Sequence, residues 1–350
     1  MALESKNVFI DTSLIVKNNF QFTFGRLQQL RDLAKSKRIS IYLSDIVVQE
    51  VRKKIKEKVE EAERGYKKFR KEAMILKNLD RSPSALPATL SESTMESLMK
   101  QFDEFMSDCN VRLLSAGEIK AERVLDRFFK EEPPFGKGKK SSEFRDAFNM
   151  EVIRQWVNDR GEAIYVLAGD SDLEAACENE PRITYIKEIE DYLRLVNEKD
   201  NPKEAARVNA VLPVVYEQLV QALTEDFPKL EFFLEDKDGE VDGIKVNNVQ
   251  LVLWPLNFSK GAVTVDFMAA IDYSADVVYD DPDLTYYDKE EDEHIVLKRI
   301  KATLDREAKV PGQVFISIDY SDLANISLNK IDLEERQISV AVDTSEYPYK

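Results

Sequence analysis

Short apolar runs alternating with helical spacing organise the first 200 residues, and a different pattern takes over after them. "VFIDTSLIV" (8–16) and "ISIYLSDIV" (39–47) read as buried strands, and between them "FGRLQQLRDLAKSK" spaces its leucines as a helix does. "AIYVLAGDSDL" (163–173) is a further strand ending in Gly-Asp, and "RITYIKEIEDYL" gives a short strand that runs into a helix. Strands alternating with helices predict an α/β layer on a mostly parallel sheet.

A long insertion interrupts this alternation, expected to be helical over residues 47–130. Residues 47–78 are rich in Lys, Glu, Arg and Ala, as one long exposed helix would be. "LDRSPSALPATLSEST" (79–94) carries two prolines and reads as a loop; "SESTMESLMKQFDEFMSDC" resumes helical spacing; "KEEPPFGKGKKSSEF" (130–144) is a second loop. Residues 201–228 are helical and are expected to be a connector. From 229 to 350, stretches such as "AVTVDFMAAIDYSADVVY", "GQVFISIDY" and "QISVAVD" alternate apolar and polar positions, which predicts an antiparallel β domain with one solvated face. The expected organisation is therefore 1–200, 201–228 and 229–350.

Composition narrows the chemistry. No run of about 18 apolar residues appears, so a membrane span is not expected. "MALESKNVFI" lacks the features of a secretory leader, and the two cysteines, Cys109 and Cys177, form no metal or disulfide pattern. A cytoplasmic setting is expected. The single histidine, His294, argues against Ser-His-Asp, Cys-His and His-rich metal chemistry, leaving carboxylates, a bound cation or lysine.

The net charge of −16 is unevenly spread: Lys+Arg against Asp+Glu is 35 to 36 over residues 1–200 and 15 to 30 over 201–350. Val51–Lys77 holds 11 basic and 5 acidic residues. This stretch is either a phosphate-facing wall or an ordinary solvated helix with i,i+4 pairs.

The acids recur at comparable places in the α/β pattern. Asp11 ends the first strand, Glu50 follows the second, Asp146 opens a helix in "SSEFRDAFNMEVI", and Asp170 and Asp172 sit just past the strand "IYVLAG". Ligands collect at the C-terminal ends of parallel strands, so these acids are expected to converge. Several carboxylates sharing one small site need a cation, and oxygen-only ligation suits Mg²⁺ or Mn²⁺. Lys137, Lys139 and Lys140, in the loop before Asp146, and the adjacent Arg145 are candidate phosphate contacts.

Taken in order, "VFIDTSLIV", "LSDIVVQEV", "FRDAFNMEVI" and "VLAGDSDL" resemble the four signature blocks of the PIN domain family, over roughly residues 6–195. The resemblance implies a PIN-like three-layer parallel-sheet domain with a helical insertion, similar to the larger bacterial members. It further implies a metal-dependent nuclease, most often acting on RNA, with Asp11, Glu50, Asp146, Asp170 and Asp172 as its metal site. Ser13 matches the family's small polar residue after the first Asp. Two departures stand out, the long separation of Glu50 from Asp146 and Gly169 where the family often has Thr or Ser. A role in a bacterial toxin or defence system follows by resemblance only. A flap or single-strand DNA nuclease, or an inactive PIN-like scaffold binding a partner protein, remain alternatives. The acidic C-terminal domain, with "DDPDLTYYDKEEDEH" (280–294), is the candidate site for a regulatory protein or ligand. Self-association stays open.

Overall fold

A computed structural model describes residues 3–72, 91–136, 143–169, 172–178, 180–235, 238–259, 262–281, 284–288, 293–318 and 326–342. The chain divides into two compact units, Met1–Val196 and Asn197–Lys350.

The first unit is an α/β layer. Its elements are β1 (Asn7–Ile10), α1 (Thr12–Lys17), α2 (Gly25–Lys35), β2 (Ser40–Ser44), α3 (Asp45–Glu72), α4 (Ser91–Asp108), β3 (Arg112–Leu114), α5 (Ala121–Phe129), α6 (Phe144–Arg160), β4 (Ile164–Leu167), α7 (Asp172–Cys177), β5 (Ile183–Ile186) and α8 (Ile189–Asp200). The five strands pair in the order β3-β2-β1-β4-β5, all parallel. Every residue of β1 and β4 is buried, as expected of central parallel strands covered on both faces. The chain winds outward from β1 through β2 to β3, then returns to add β4 and β5 on the other side. The β1/β4 junction is therefore the point where the winding reverses, and the C-terminal ends of strands open a crevice there.

The sequence runs expected to be long strands are each split by a helix start. "VFIDTSLIV" ends its strand at Ile10. Asp11 then caps α1 by accepting a hydrogen bond from the Ser13 backbone N–H, and Leu14 and Ile15 are buried from the helix. "ISIYLSDIV" ends its strand at Ser44, whose hydroxyl accepts from the Val47 N–H three residues into α3. Both breaks fall at cap residues, where a short polar side chain replaces the missing helical partner. The edge strand β3, three residues long, was not signalled.

Within the insertion, Val47, Val51, Ile55 and Val59 form the buried stripe of α3, and Phe22 packs its ring 5.4 Å from both Phe102 and Phe105 of α4. The basic stretch of α3 is largely paired within itself. Lys53 and Lys54 meet Glu57, Lys56 meets Glu60, Lys58 meets Glu61, and Lys67 meets Glu63. These pairs are those expected of a solvated helix.

The second unit comprises α9 (Pro202–Asp226), β6 (Glu231–Glu235), β7 (Gly239–Ser259), β8 (Ala262–Asp280), β9 (Thr285–Asp288), β10 (Glu293–Val296), β11 (Arg299–Ile318), β12 (Ile326–Leu333) and β13 (Gln337–Ala341). A four-stranded antiparallel sheet runs in the order β12-β11-β8-β7. On β8 the odd-numbered residues from Val263 to Tyr279 are buried, while most of the even-numbered ones are partly or fully exposed. β9 and β10 form a hairpin, whereas β6 and β13 pair in parallel, a detail absent from the expected all-antiparallel domain.

The helix expected to be a connector is instead part of this unit's core. Val208, Val211, Val215, Leu219 and Leu223 recur at helical spacing and are buried together with Phe267, Ile271 and Tyr273 of β8. No helix among the described residues is long and apolar enough to cross a membrane.

Candidate active site

Three acids that lie far apart in sequence line one cavity in the first unit, about 480 Å³ in volume. Asp11 comes from the end of β1, Glu50 from the second turn of α3 and Asp146 from the first turn of α6. Ser13, Arg145 and Gly169 also line it. The cavity thus lies at the β1/β4 reversal, where the topology favours a ligand site.

Asp11 is 6% exposed, and its carboxylate is held from below. Its Oδ2 accepts from the Ser13 N–H at 2.7 Å and from the Ser13 hydroxyl at 2.6 Å. The same hydroxyl accepts from the Gly169 N–H at 2.9 Å, and the Asp11 N–H donates to the Leu167 carbonyl at 2.9 Å. Ser13 therefore ties the C-terminal ends of β1 and β4 together while fixing the orientation of Asp11. Gly169 is not demanded by crowding: a Cβ there would come no nearer than 3.5 Å to the Lys17 side chain.

Glu50 is gripped on both oxygens. Thr12 donates its hydroxyl to Oε2 at 2.9 Å, and the Arg145 guanidinium is ion-paired to Oε1. The Arg145 side chain is 62% exposed, so it is the solvent-facing partner of Glu50, while Thr12 is buried.

Below these contacts, the buried Ser44 hydroxyl donates to the buried Asn149 Oδ1 at 2.6 Å. Since Ser44 also caps α3, one hydroxyl links the helix that carries Glu50 to the helix that carries Asp146. The start of α6 is anchored from its other side by an aromatic cluster. Phe144 lies 5.1 Å from Phe128 and 5.0 Å from Phe135, with Val124 and Ala147 buried alongside.

Five lining residues were not singled out individually in the sequence: Thr12, Val16, Lys17, Lys54 and Glu143. Lys54 follows Glu50 by one helical turn, the only local signal available for any of them. Lys17 pairs with Glu188 at 2.5 Å and Lys54 with Glu57 at 2.9 Å. Asp170, Lys137, Lys139 and Lys140 lie outside the described residues, as does the side chain of Asp172, whose backbone begins α7. Among the described residues no group of three or more Asp, Glu, His or Cys is gathered closely enough to hold a metal ion.

Residues 8–173 match the family model of the PIN domain. No curated protein and no solved structure gives a significant match to the chain. The parallel five-stranded sheet with its helices agrees with the family model, and the first unit is a PIN-like domain, followed by a separate unit with a four-stranded antiparallel sheet. PIN domains are in general nucleases, hydrolases that act on nucleic acid and typically use divalent metals.

Proposed function

We propose that the first unit is a Mg²⁺- or Mn²⁺-dependent nuclease, with RNA as its favoured substrate. The observation that carries this reading is the presence of Asp11, Glu50 and Asp146, from three separate elements, on one cavity at the β1/β4 reversal. The donor set suits a hard cation, because every candidate ligand there is a carboxylate oxygen and Asp11 is pre-oriented by two hydrogen bonds. Asp170 and Asp172, next in sequence to Gly169 of the cavity wall, complete the proposed set.

When bound, a divalent cation polarises a phosphodiester oxygen and lets water act as a nucleophile near neutral pH. The protein's own groups supply the rest. Ser13 and Thr12 hold Asp11 and Glu50 against rotation. Arg145 offers its guanidinium to the non-bridging oxygens of the phosphate, exchanging Glu50 for substrate as it does so. Lys137, Lys139 and Lys140 are proposed as further phosphate contacts.

A catalytically silent scaffold is the second reading, favoured by the engagement of both Glu50 oxygens with protein partners. RNA over DNA, a cytoplasmic location and a toxin or defence role rest on family resemblance. The acidic second unit is proposed as the regulatory or partner-binding half. The test is cleavage of end-labelled single-stranded RNA, tRNA, single-stranded DNA and flap DNA by the full chain, with Mn²⁺, Mg²⁺ or EDTA, beside Asp146→Asn. Metal-dependent cutting absent from the variant is expected, with RNA cut fastest. A folded wild-type chain that cuts none of them refutes the catalytic reading.

A further inference from the structure

Phe129 is the most exposed large apolar side chain among the described residues, at 77%, and it ends α5. Leu125, one turn earlier on the same face, is 43% exposed, while Val124 on the opposite face is buried in the satellite core. A single exposed apolar residue is ordinary. This one differs in what lies beneath it.

The Phe129 ring meets the edge of Phe128 at 5.3 Å between centroids and 67° between planes. Phe128 in turn lies 5.4 Å from Phe135 and 5.1 Å from Phe144. Phe129 is thus the outermost member of a packed group of four rings, which includes the buried Phe135 and the partly buried Phe144, the first residue of α6. The next two residues of that helix, Arg145 and Asp146, line the cavity. Lys130, immediately after Phe129, caps the helix and is exposed. Arg127 is committed elsewhere, to Glu132 and Glu151.

We infer that Phe129 is a stacking platform for an unpaired base of a single-stranded nucleic acid whose scissile phosphate lies at the Asp11–Glu50–Asp146 cavity. Three features support that occupant over another. A rigid, exposed aromatic face accepts any base, because every base presents a π-face, and an adjacent cation can follow the backbone. The ring cluster prevents the platform from collapsing, so little order remains to be imposed on binding. The platform is also joined through Phe128 and Phe144 to the helix bearing Arg145 and Asp146, which ties it to the site of chemistry rather than to an unrelated surface. Bases of a duplex are already stacked and cannot use it, so the site selects single strands.

The inference rests on the nuclease reading, and the experiment separates the two. The full chain carrying Asp146→Asn is titrated against a fluorescent single-stranded RNA oligonucleotide, and against the same sequence as a duplex. Phe129→Ala and Phe129→Trp are then added in turn. The expected result is roughly 5- to 100-fold weaker single-strand binding with Ala and near-normal binding with Trp. Duplex binding should not change, and one abasic position in the strand should abolish the effect of Phe129→Ala.

Single-strand binding that Phe129→Ala leaves intact overturns the platform but not the nuclease. No binding of any oligonucleotide by the parent chain overturns both. Sedimentation of the same proteins provides the remaining outcome: a change of mass with Phe129→Ala and no change in RNA affinity would make this face a contact between copies, and would equally overturn the inference.

Discussion

Replacing Ser44 by Ala should cost far more stability than the loss of one oxygen suggests. Ser44 and Asn149 are both fully buried. The hydroxyl gives its proton to Asn149 Oδ1 at 2.6 Å and receives the Val47 N–H at 3.0 Å. Removing it takes away the cap of α3, worth about 1 kcal/mol. It also leaves Asn149 Oδ1 without a donor in a dry interior where its Nδ2 already lacks a partner, which costs about 1–3 kcal/mol more. The total, about 2–4 kcal/mol, is a large share of the 5–15 kcal/mol typical of a domain.

Urea unfolding followed by Trp156 fluorescence reads this out in the first unit, because Trp156 sits on α6 with its ring 4.9 Å from Tyr42. The chain's second tryptophan, Trp254, is removed as Trp254→Phe throughout. Adding Asn149→Leu to Ser44→Ala should recover part of the loss, since two apolar groups no longer leave a polar one unpaired. A loss below about 0.5 kcal/mol for Ser44→Ala would refute the bridge, given the cost expected of a stranded buried amide. So would strictly additive effects of the two substitutions, which contacting residues should not show.

Other outcomes follow from single contacts. Arg145→Ala releases Glu50 from a competing cation, so Mn²⁺ should bind up to about fivefold tighter by calorimetry while RNA affinity falls, the pair being solvent-exposed. Gly65→Ala, in exposed helix with open space where the Cβ would project, should raise stability by about 0.5–1 kcal/mol in the same urea assay. Burial pushes the Cys109 and Cys177 thiols up to about 12. Neither should therefore be alkylated by iodoacetamide at pH 8 until urea unfolds the first unit, as mass spectrometry would register.

The acids of the candidate site were legible because strand ends are legible. An apolar run that stops at a carboxylate marks a C-terminal strand end, and in a parallel sheet those ends share one edge. Asp11 reaches the cavity for that reason; Glu50 and Asp146 come to it from the opening turns of α3 and α6, so the three line one cavity without being gathered closely enough, among the described residues, to hold a metal ion. What supports them was harder to see. Thr12 and Glu143 are ordinary polar residues in the sequence, and their place in the cavity depends on tertiary packing. The capping role of Asp11 was also hidden, since the run around it is apolar enough to be one strand; the helix appears only once Leu14 and Ile15 find the same buried side.

The second unit misled for a related reason. Residues 201–228 were expected to be a helical connector, yet the valines and leucines of α9 keep one face and bury it with β8. A truncation meant to remove this unit should therefore begin between α8 and α9, at Asn201, and not at residue 229. β11 extends beyond the stretch "GQVFISIDY" read in the sequence, and its pairing with β8 runs through Pro311 and Gly312. Gly312 is required there: a Cβ would lie 2.6 Å from the Phe267 ring.

The claim that these carboxylates form a working metal site is tested most directly by calorimetric titration of Mn²⁺ into the full chain, beside Asp11→Asn and Asp146→Asn. The account predicts saturable binding by the wild-type chain that each substitution weakens at least tenfold, with both variants folded by circular dichroism. Absence of binding, or binding that neither substitution alters, would contradict it.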